Sequence, residues 1–389
     1  MKILYSAIDQ TVPGAHGGSV HVRSVAEGLS ALGHEVHVLA SPGNGGRFPS
    51  GPVTWWAMPP PLGNRRLRLL RAGDVANRAR AIRPDVVIER YFNFGGEGLL
   101  AARKVGALAV LEVNAPVVDY PGSTKQWLDR LAIVQPLRRW RDWQCRAADL
   151  IVTPSTRIIP DGVPASRVLQ TEWGADTARF QPDADGPVPF IRNSGDTVAV
   201  FVGAFRAWHG AIHLVDAMRV LHAKGRRDIK AVFIGAGPEL APTQRAADSL
   251  ETVTFTGPLS HELMPSALAA AHIGVAPFDV TKHAPLKIDF YWSPLKIFEY
   301  MAAGLPVVAP RVDRLAHIVR DGREGLLYDS ARPDALASAI SRLADDAAFR
   351  RYLGSAARAR VVEEFSWQRH CRALDCAIRD ARDAHPDRH

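Results

Sequence analysis

The stretch Ser293-Pro294-Leu295-Lys296-Ile297-Phe298-Glu299-Tyr300-Met301-Ala302-Ala303-Gly304-Leu305-Pro306 gathers residue types that can hold a phosphate. Serine accepts hydrogen bonds from free amides and proline is favoured at the first helical position, so Ser293 and Pro294 predict a helix start. Gly304 ends the helix and Pro306 prevents its continuation. At about 100° per residue, Leu295, Ile297, Phe298, Met301 and Ala302 share one side. Lys296, Glu299 and Tyr300 share the other, which is expected to face solvent. The free amides of a helix start attract anions, and Lys296 in the first turn adds a full positive charge. Glu299, one turn further, suits the paired hydroxyls of a ribose. The same spacing also fits a capped surface helix with an ordinary Lys–Glu pair.

Other loops carry polar groups at strand ends. Gly14-Ala15-His16-Gly17-Gly18-Ser19 lies between a predicted strand and helix, where glycines let a ligand approach the backbone. Glu89-Arg90-Tyr91 ends one strand and is read either as a structural ion pair or as part of an acceptor site. Glu112-Val113-Asn114-Ala115-Pro116 ends another, and its Asn114 donates and accepts hydrogen bonds without serving as a base. Val202-Gly203-Ala204-Phe205-Arg206-Ala207-Trp208-His209-Gly210 follows a third, and Gly235-Ala236-Gly237 a fourth. The arginine-rich stretch from Arg65 to Arg83 reads as a solvated helix face, with docking on an anionic membrane or charged acceptor as the alternative. Asp183-Ala184-Asp185 has a metal-binding look but falls in a predicted linker.

These loops must be positioned by an alternating framework. Strands are predicted at Ile3–Ile8, Glu35–Ala40, Val86–Glu89, Ala107–Val113 and Leu150–Thr153, and again at Val198–Gly203, Ile229–Ile234, Val253–Thr256, Ile273–Pro277, Leu305–Ala309 and Gly325–Tyr328. Helical patterns stand between them, which implies parallel sheets with helices on both faces. With 389 residues, two domains are expected: 1–183 and 190–366, joined by the proline-rich Gln181–Pro189. A final helix from Trp367 fills the rest, 367–389. Ligands in such folds sit beyond the carboxyl ends of the strands, so the chemistry is expected in a cleft between the domains. The net charge of +8 suits a partner bearing phosphates. Cys145, Cys371 and Cys376 form neither a disulfide framework nor a metal pattern. No run approaches the ~18 apolar residues of a spanning helix, so a cytoplasmic protein, at most peripheral at the membrane, is expected.

Glu299-Tyr300-Met301-Ala302-Ala303-Gly304-Leu305-Pro306-Val307-Val308-Ala309 resembles the donor-site signature of the retaining glycosyltransferase family 4. Ser293-Pro294-Leu295-Lys296 and Trp208-His209-Gly210 are similar to one branch of it. The resemblance implies the GT-B fold, two Rossmann-like domains with parallel sheets facing across a cleft. It implies a metal-independent glycosyl transferase (EC 2.4 type) that takes a nucleoside diphosphate sugar, UDP- or GDP-linked, and needs no cofactor. The acceptor would be a small molecule, glycan or glycolipid, not nucleic acid. By the same resemblance Glu299 holds the ribose, and the amides near Ser293, Pro294 and Leu295 face the donor phosphates. Arg206 and Lys296 would stabilise the leaving group, with Gly17, Gly18, Gly203, His209 and Gly235 lining the donor. His16, Arg90 and Asn114 would meet the acceptor or the sugar. The family's first glutamate is replaced by Tyr291. A nucleotide-sugar 2-epimerase and a silent nucleotide-sugar-binding module share the architecture and stand as alternatives.

Overall fold

The computed structural model describes residues 1–14, 16–43, 45–120, 122–131, 135–260, 262–312 and 314–384. Ala15 of the glycine-rich loop and residues 385–389 of the expected terminal segment lie outside them. The chain forms two compact units.

The first unit comprises Met1–Trp173, Tyr291–Ser293 and the segment from Trp367. Its sheet has strands β1 (Lys2–Val12), β2 (Glu35–Pro42), β3 (Thr54–Ala57), β4 (Val86–Arg90), β5 (Leu108–Glu112), β6 (Leu150–Thr153) and β7 (Val168–Gln170), in the order β3-β2-β1-β4-β5-β6-β7. Every pairing is parallel. The central strands are buried on both faces, which explains their continuous apolar runs. The two edge strands β3 and β7 are only half buried and lack such a run, so the sequence pattern missed them. The Trp367–Asp383 helix packs on the Gly17–Ala31 helix. They meet closely at Gly28, where an added Cβ would lie 2.4 Å from Cys371 Sγ.

The second unit comprises Gly174–Phe290 and Pro294–Ser366. Strands β8 (Thr197–Val202), β9 (Ile229–Ile234), β10 (Val253–Gly257), β11 (Ile273–Val275), β12 (Val307–Pro310) and β13 (Gly325–Tyr328) form a second parallel sheet, in the order β10-β9-β8-β11-β12-β13. Its core gathers Phe201, Phe205, Leu214, Met218, Phe233 and Ile340.

The boundary expected at 183 falls instead at Trp173/Gly174. The proline-rich stretch is laid onto the second unit: Arg358 donates to the carbonyls of Phe180 and Thr177, and Ser266 Oγ to that of Pro187. Among the described residues no helix is long and apolar enough to cross a membrane.

Candidate functional site

In the second unit the helix runs Leu295–Ala302, with Pro294 at its N-cap and no side-chain cap. Ser293 is therefore not the cap that its type predicts. Its Oγ donates to Glu172 Oε2 at 2.6 Å and accepts from the Trp173 backbone N–H at 2.9 Å, so the hydroxyl is engaged within the first unit. Pro294 still accepts from the Ile297 amide at 2.8 Å, while the first-turn amides of Leu295 and Lys296 have no intrahelical partner.

The face expected to be exposed is buried: Lys296 and Glu299 are each 9% exposed and Tyr300 is fully enclosed. Tyr300 explains the anchoring. Its hydroxyl accepts from the Val202 amide at 2.7 Å and reaches the Val275 carbonyl at 3.4 Å, tying the helix to β8 and β11. Lys296 is carried beneath the loop that follows β8. Its Nζ lies 4.4 Å from the Phe201 ring centre and 5.0 Å from that of Phe278, with no hydrogen-bond partner. Burial lowers its pKa to about 7. Glu299 is pushed up to about 8 by burial, against the pull of Arg179 and Lys296.

His209 converges on the same point. An added Cβ at Gly203 would stand 3.0 Å from both Lys296 Nζ and His209 Nδ1, so a side chain there would press on both. His209 Nδ1 is also buried without a partner. Burial, with Lys296 and Arg206 adding repulsion, holds this imidazole neutral, down to about 2. Gly235, at φ 129, brings the loop after β9 against the Gly203 carbonyl, where a Cβ would lie 2.0 Å away. Arg206 is exposed at the head of the Ala207–His209 turn, its guanidinium 6.0 Å from the Trp208 ring. The second unit thus gathers Gly203, His209, Gly235 and Lys296 at one place, with Arg206 on the loop beside them.

In the first unit, His16 is exposed and stands at the N-cap of the Gly17–Ala31 helix, its carbonyl accepting from the Ser19 and Val20 amides. Gly18 faces Gln10 and Arg90: an added Cβ there would lie 2.2 Å from Gln10 Oε1 and 3.4 Å from Arg90 Nη2. Arg90 Nη1 donates to His21 Nδ1 at 3.2 Å and lies 3.5 Å from Glu112 Oε2. Glu112 also accepts from the Tyr5 hydroxyl at 2.5 Å and meets His21 Nε2 at 3.1 Å. Burial alone would raise the Glu112 carboxyl, but His21, Arg90 and Tyr5 hold it down to about 2. Asn114, beyond the end of β5, accepts from Trp173 Nε1 at 3.0 Å, and the Trp173 ring packs tilted against His21, with ring centres 4.4 Å apart.

His21, Glu112 and His370 offer three possible metal-ligand atoms within 4.8 Å of one another. Arg90 can only donate, so His21 Nδ1 is the acceptor and the proton of the neutral ring sits on Nε2, 3.1 Å from Glu112 Oε1.

Sequence reasoning passed over His21, whose role depends on partners far along the chain. It also misplaced Arg68. Within the expected solvated face, Arg68 is fully buried, bonded to Asp9 at 2.6 Å, Glu89 at 2.8 Å and Glu97 at 2.6 Å. The Glu89 carboxylate also takes the Gly96 and Gly98 amides, so this end of β4 is structural while its neighbour Arg90 reaches the His21 group. Tyr291, at the place of the missing glutamate, is buried within the first unit beside Trp292.

Two parallel α/β units with polar groups at their strand ends define a class. A family model for glycosyltransferase family 4 matches residues 15–161, and one for group 1 glycosyl transferases matches residues 196–346. Together the two glycosyltransferase models span most of the chain. Among relatives, the chain is 27% identical to the alpha-maltose-1-phosphate synthase of Mycolicibacterium smegmatis, covering 91% of this chain and 93% of the relative. It is 29% identical to a GDP-mannose-dependent alpha-mannosyltransferase of Mycobacterium tuberculosis, over 85% of each. Among solved structures, sucrose-phosphate synthase of Thermosynechococcus elongatus superposes with a TM-score of 0.72 at 19% identity, covering 98% of this chain and 99% of that one. Anabaena HepE in complex with UDP and glucose gives 0.69 at 17% identity, over 97% and 99%. These likenesses establish the GT-B fold.

Proposed function

We propose that the protein transfers a glycosyl group from a nucleoside diphosphate sugar to an acceptor hydroxyl, with retention at the anomeric carbon. The observation that carries this is the pair of buried, unpartnered nitrogens, Lys296 Nζ and His209 Nδ1, that meet at Gly203 beside a helix start. An unpaired ammonium in a protein interior is costly, and an arriving phosphate oxygen removes that cost. Lys296, Arg206 and the amides of Leu295 and Lys296 then stabilise the diphosphate as the sugar–phosphate bond breaks. Glu299, one turn along, accepts the ribose hydroxyls. In the first unit, His16, Arg90 and Asn114 are assigned to the acceptor or the sugar, and Gly17 and Gly18 give the backbone access. Because the protein's own cations neutralise the leaving group, no metal is assigned a role.

The relatives' names support a nucleotide-linked donor, GDP-mannose for the mycobacterial enzyme and UDP in the Anabaena complex. We place the protein in the cytoplasm, with Arg65, Arg66 and the exposed Leu62 and Leu70 as the surface available to an anionic membrane. The test is thermal unfolding against UDP-glucose, GDP-mannose and their free nucleotides, because a ligand that binds the folded state raises its stability. The reading fails if no nucleotide or nucleotide sugar shifts the transition, or if Arg206→Ala and Glu299→Ala together leave the shift and the turnover unchanged.

A further inference from the structure

Trp173 ends the first part of the first unit, and three contacts fix it. Its backbone N–H donates to Ser293 Oγ at 2.9 Å, its ring lies on His21 at 4.4 Å, and the Arg90 guanidinium stands 6.0 Å from the ring centre. An indole N–H can donate and cannot accept. Its partner 3.0 Å away must therefore be the oxygen of the Asn114 amide. That contact occupies Oδ1 and turns Nδ2 away from the indole. Asn114 Nδ2 is buried and has no hydrogen-bond partner, although a buried amide nitrogen left unpaired is destabilising.

We infer that Asn114 meets its ligand only as a donor, through Nδ2 to an oxygen of a sugar, and that Trp173 is the positioning residue that enforces this orientation. The inference rests on the glycosyl-transfer reading for the identity of the ligand and on the geometry for the orientation. An asparagine free to flip presents oxygen or nitrogen with little preference. With Trp173 in place, the flipped amide would set two donors against each other, so the site selects a hydrogen-bond acceptor. His21 and Glu112 contribute at one remove by holding the indole plane and Arg90.

The experiment uses the full chain and the variants Trp173→Phe, Asn114→Leu and Asn114→Asp, each first checked for an unchanged unfolding transition. Nitrogen-15 spectra assign the Trp173 indole N–H as the signal missing from Trp173→Phe. Asn114→Leu should move that signal, and if it stays in place the bond is absent and the inference is overturned, whatever the activity. Turnover is followed as nucleotide released from UDP-glucose and from GDP-mannose, alongside the affinity for free UDP and GDP. Trp173→Phe should lower kcat about two- to tenfold, the range of one net hydrogen bond, with free-nucleotide affinity unchanged. In the Asn114→Leu background the same change should add nothing. An equal loss in both backgrounds would show that Trp173 acts only by packing and would overturn the positioning role. Asn114→Asp, which keeps the oxygen and removes the donor, should be as impaired as Asn114→Leu. Weaker affinity for the nucleotide sugar than for the nucleotide assigns the oxygen to the transferred sugar, and slower transfer alone assigns it to the acceptor. Unaltered affinity and unaltered rate in Asn114→Asp would overturn the donor role. If wild type neither binds nor turns over any nucleotide sugar, the glycosyl-transfer reading falls, while the spectra still decide the Trp173–Asn114 bond.

Discussion

Replacing Lys296 by methionine should make the protein more stable and its donor site much weaker. Methionine has nearly the length of lysine and suits the Phe201 and Phe278 rings that flank Nζ at 4.4 and 5.0 Å. It also removes an ammonium that is 9% exposed and has no hydrogen-bond partner. Burial lowers the lysine to about 7, so the unfolded chain holds this proton more tightly between there and the ordinary lysine range. The stability of the unliganded protein accordingly rises with pH across that window, and Lys296→Met should abolish that rise. At neutral pH the variant should gain about 1–3 kcal/mol, several degrees in Tm. The effect on binding is opposite in sign. A phosphate oxygen about 4 Å from the ammonium gains roughly 4 kcal/mol at an effective dielectric of 20. Most of that is realised, because the ammonium is already out of water before the ligand arrives. Loss of about 2–4 kcal/mol corresponds to about 30- to 1000-fold weaker UDP or GDP. Titration calorimetry gives the affinity, and in wild type at pH 7–8 it should also register proton uptake as Lys296 becomes fully charged. If Lys296→Met binds both nucleotides as wild type does, the phosphate assignment is refuted. If it is instead destabilised, the account of the buried charge is wrong.

Gly203→Ala should weaken nucleotide binding at least about tenfold, since its methyl would press on Lys296 Nζ and His209 Nδ1 at 3.0 Å; the same titration measures it. Glu299 is held up to about 8, so the folded state keeps its proton where the unfolded chain has lost it, and stability falls as pH rises from the ordinary carboxylate range to about 8. Glu299→Gln should remove that fall in urea denaturation series while reducing nucleotide affinity about tenfold through the lost ribose contact. Arg68→Met should destabilise the first unit by about 3–5 kcal/mol in denaturant unfolding, because Asp9, Glu89 and Glu97 would lose their shared cation.

The framework was legible wherever burial imposed a continuous apolar run. Ile3–Ile8 and Ile229–Ile234 declared themselves, whereas Thr54–Ala57, half exposed at an edge, left no pattern. The site was legible in its residue types and misread in its environment. The helix Leu295–Ala302 carries only Lys296 and Glu299 as charged residues among eight, a composition closer to a helix enclosed on all sides than to an amphipathic one. That signal was present, and the assumption that charges face water concealed it. Ser293 shows a different limit. Its type and position satisfy every local rule for a cap, yet Glu172, 121 residues away, takes the hydroxyl. Arg68 and Asn114 are the same case: each is defined by partners that only the folded sheet brings near. Local chemistry therefore identifies which groups are available, and non-local packing decides which are satisfied. Lys296 Nζ, His209 Nδ1 and Asn114 Nδ2 are among the groups left unsatisfied after packing, and they stand at the strand ends where a ligand would contribute.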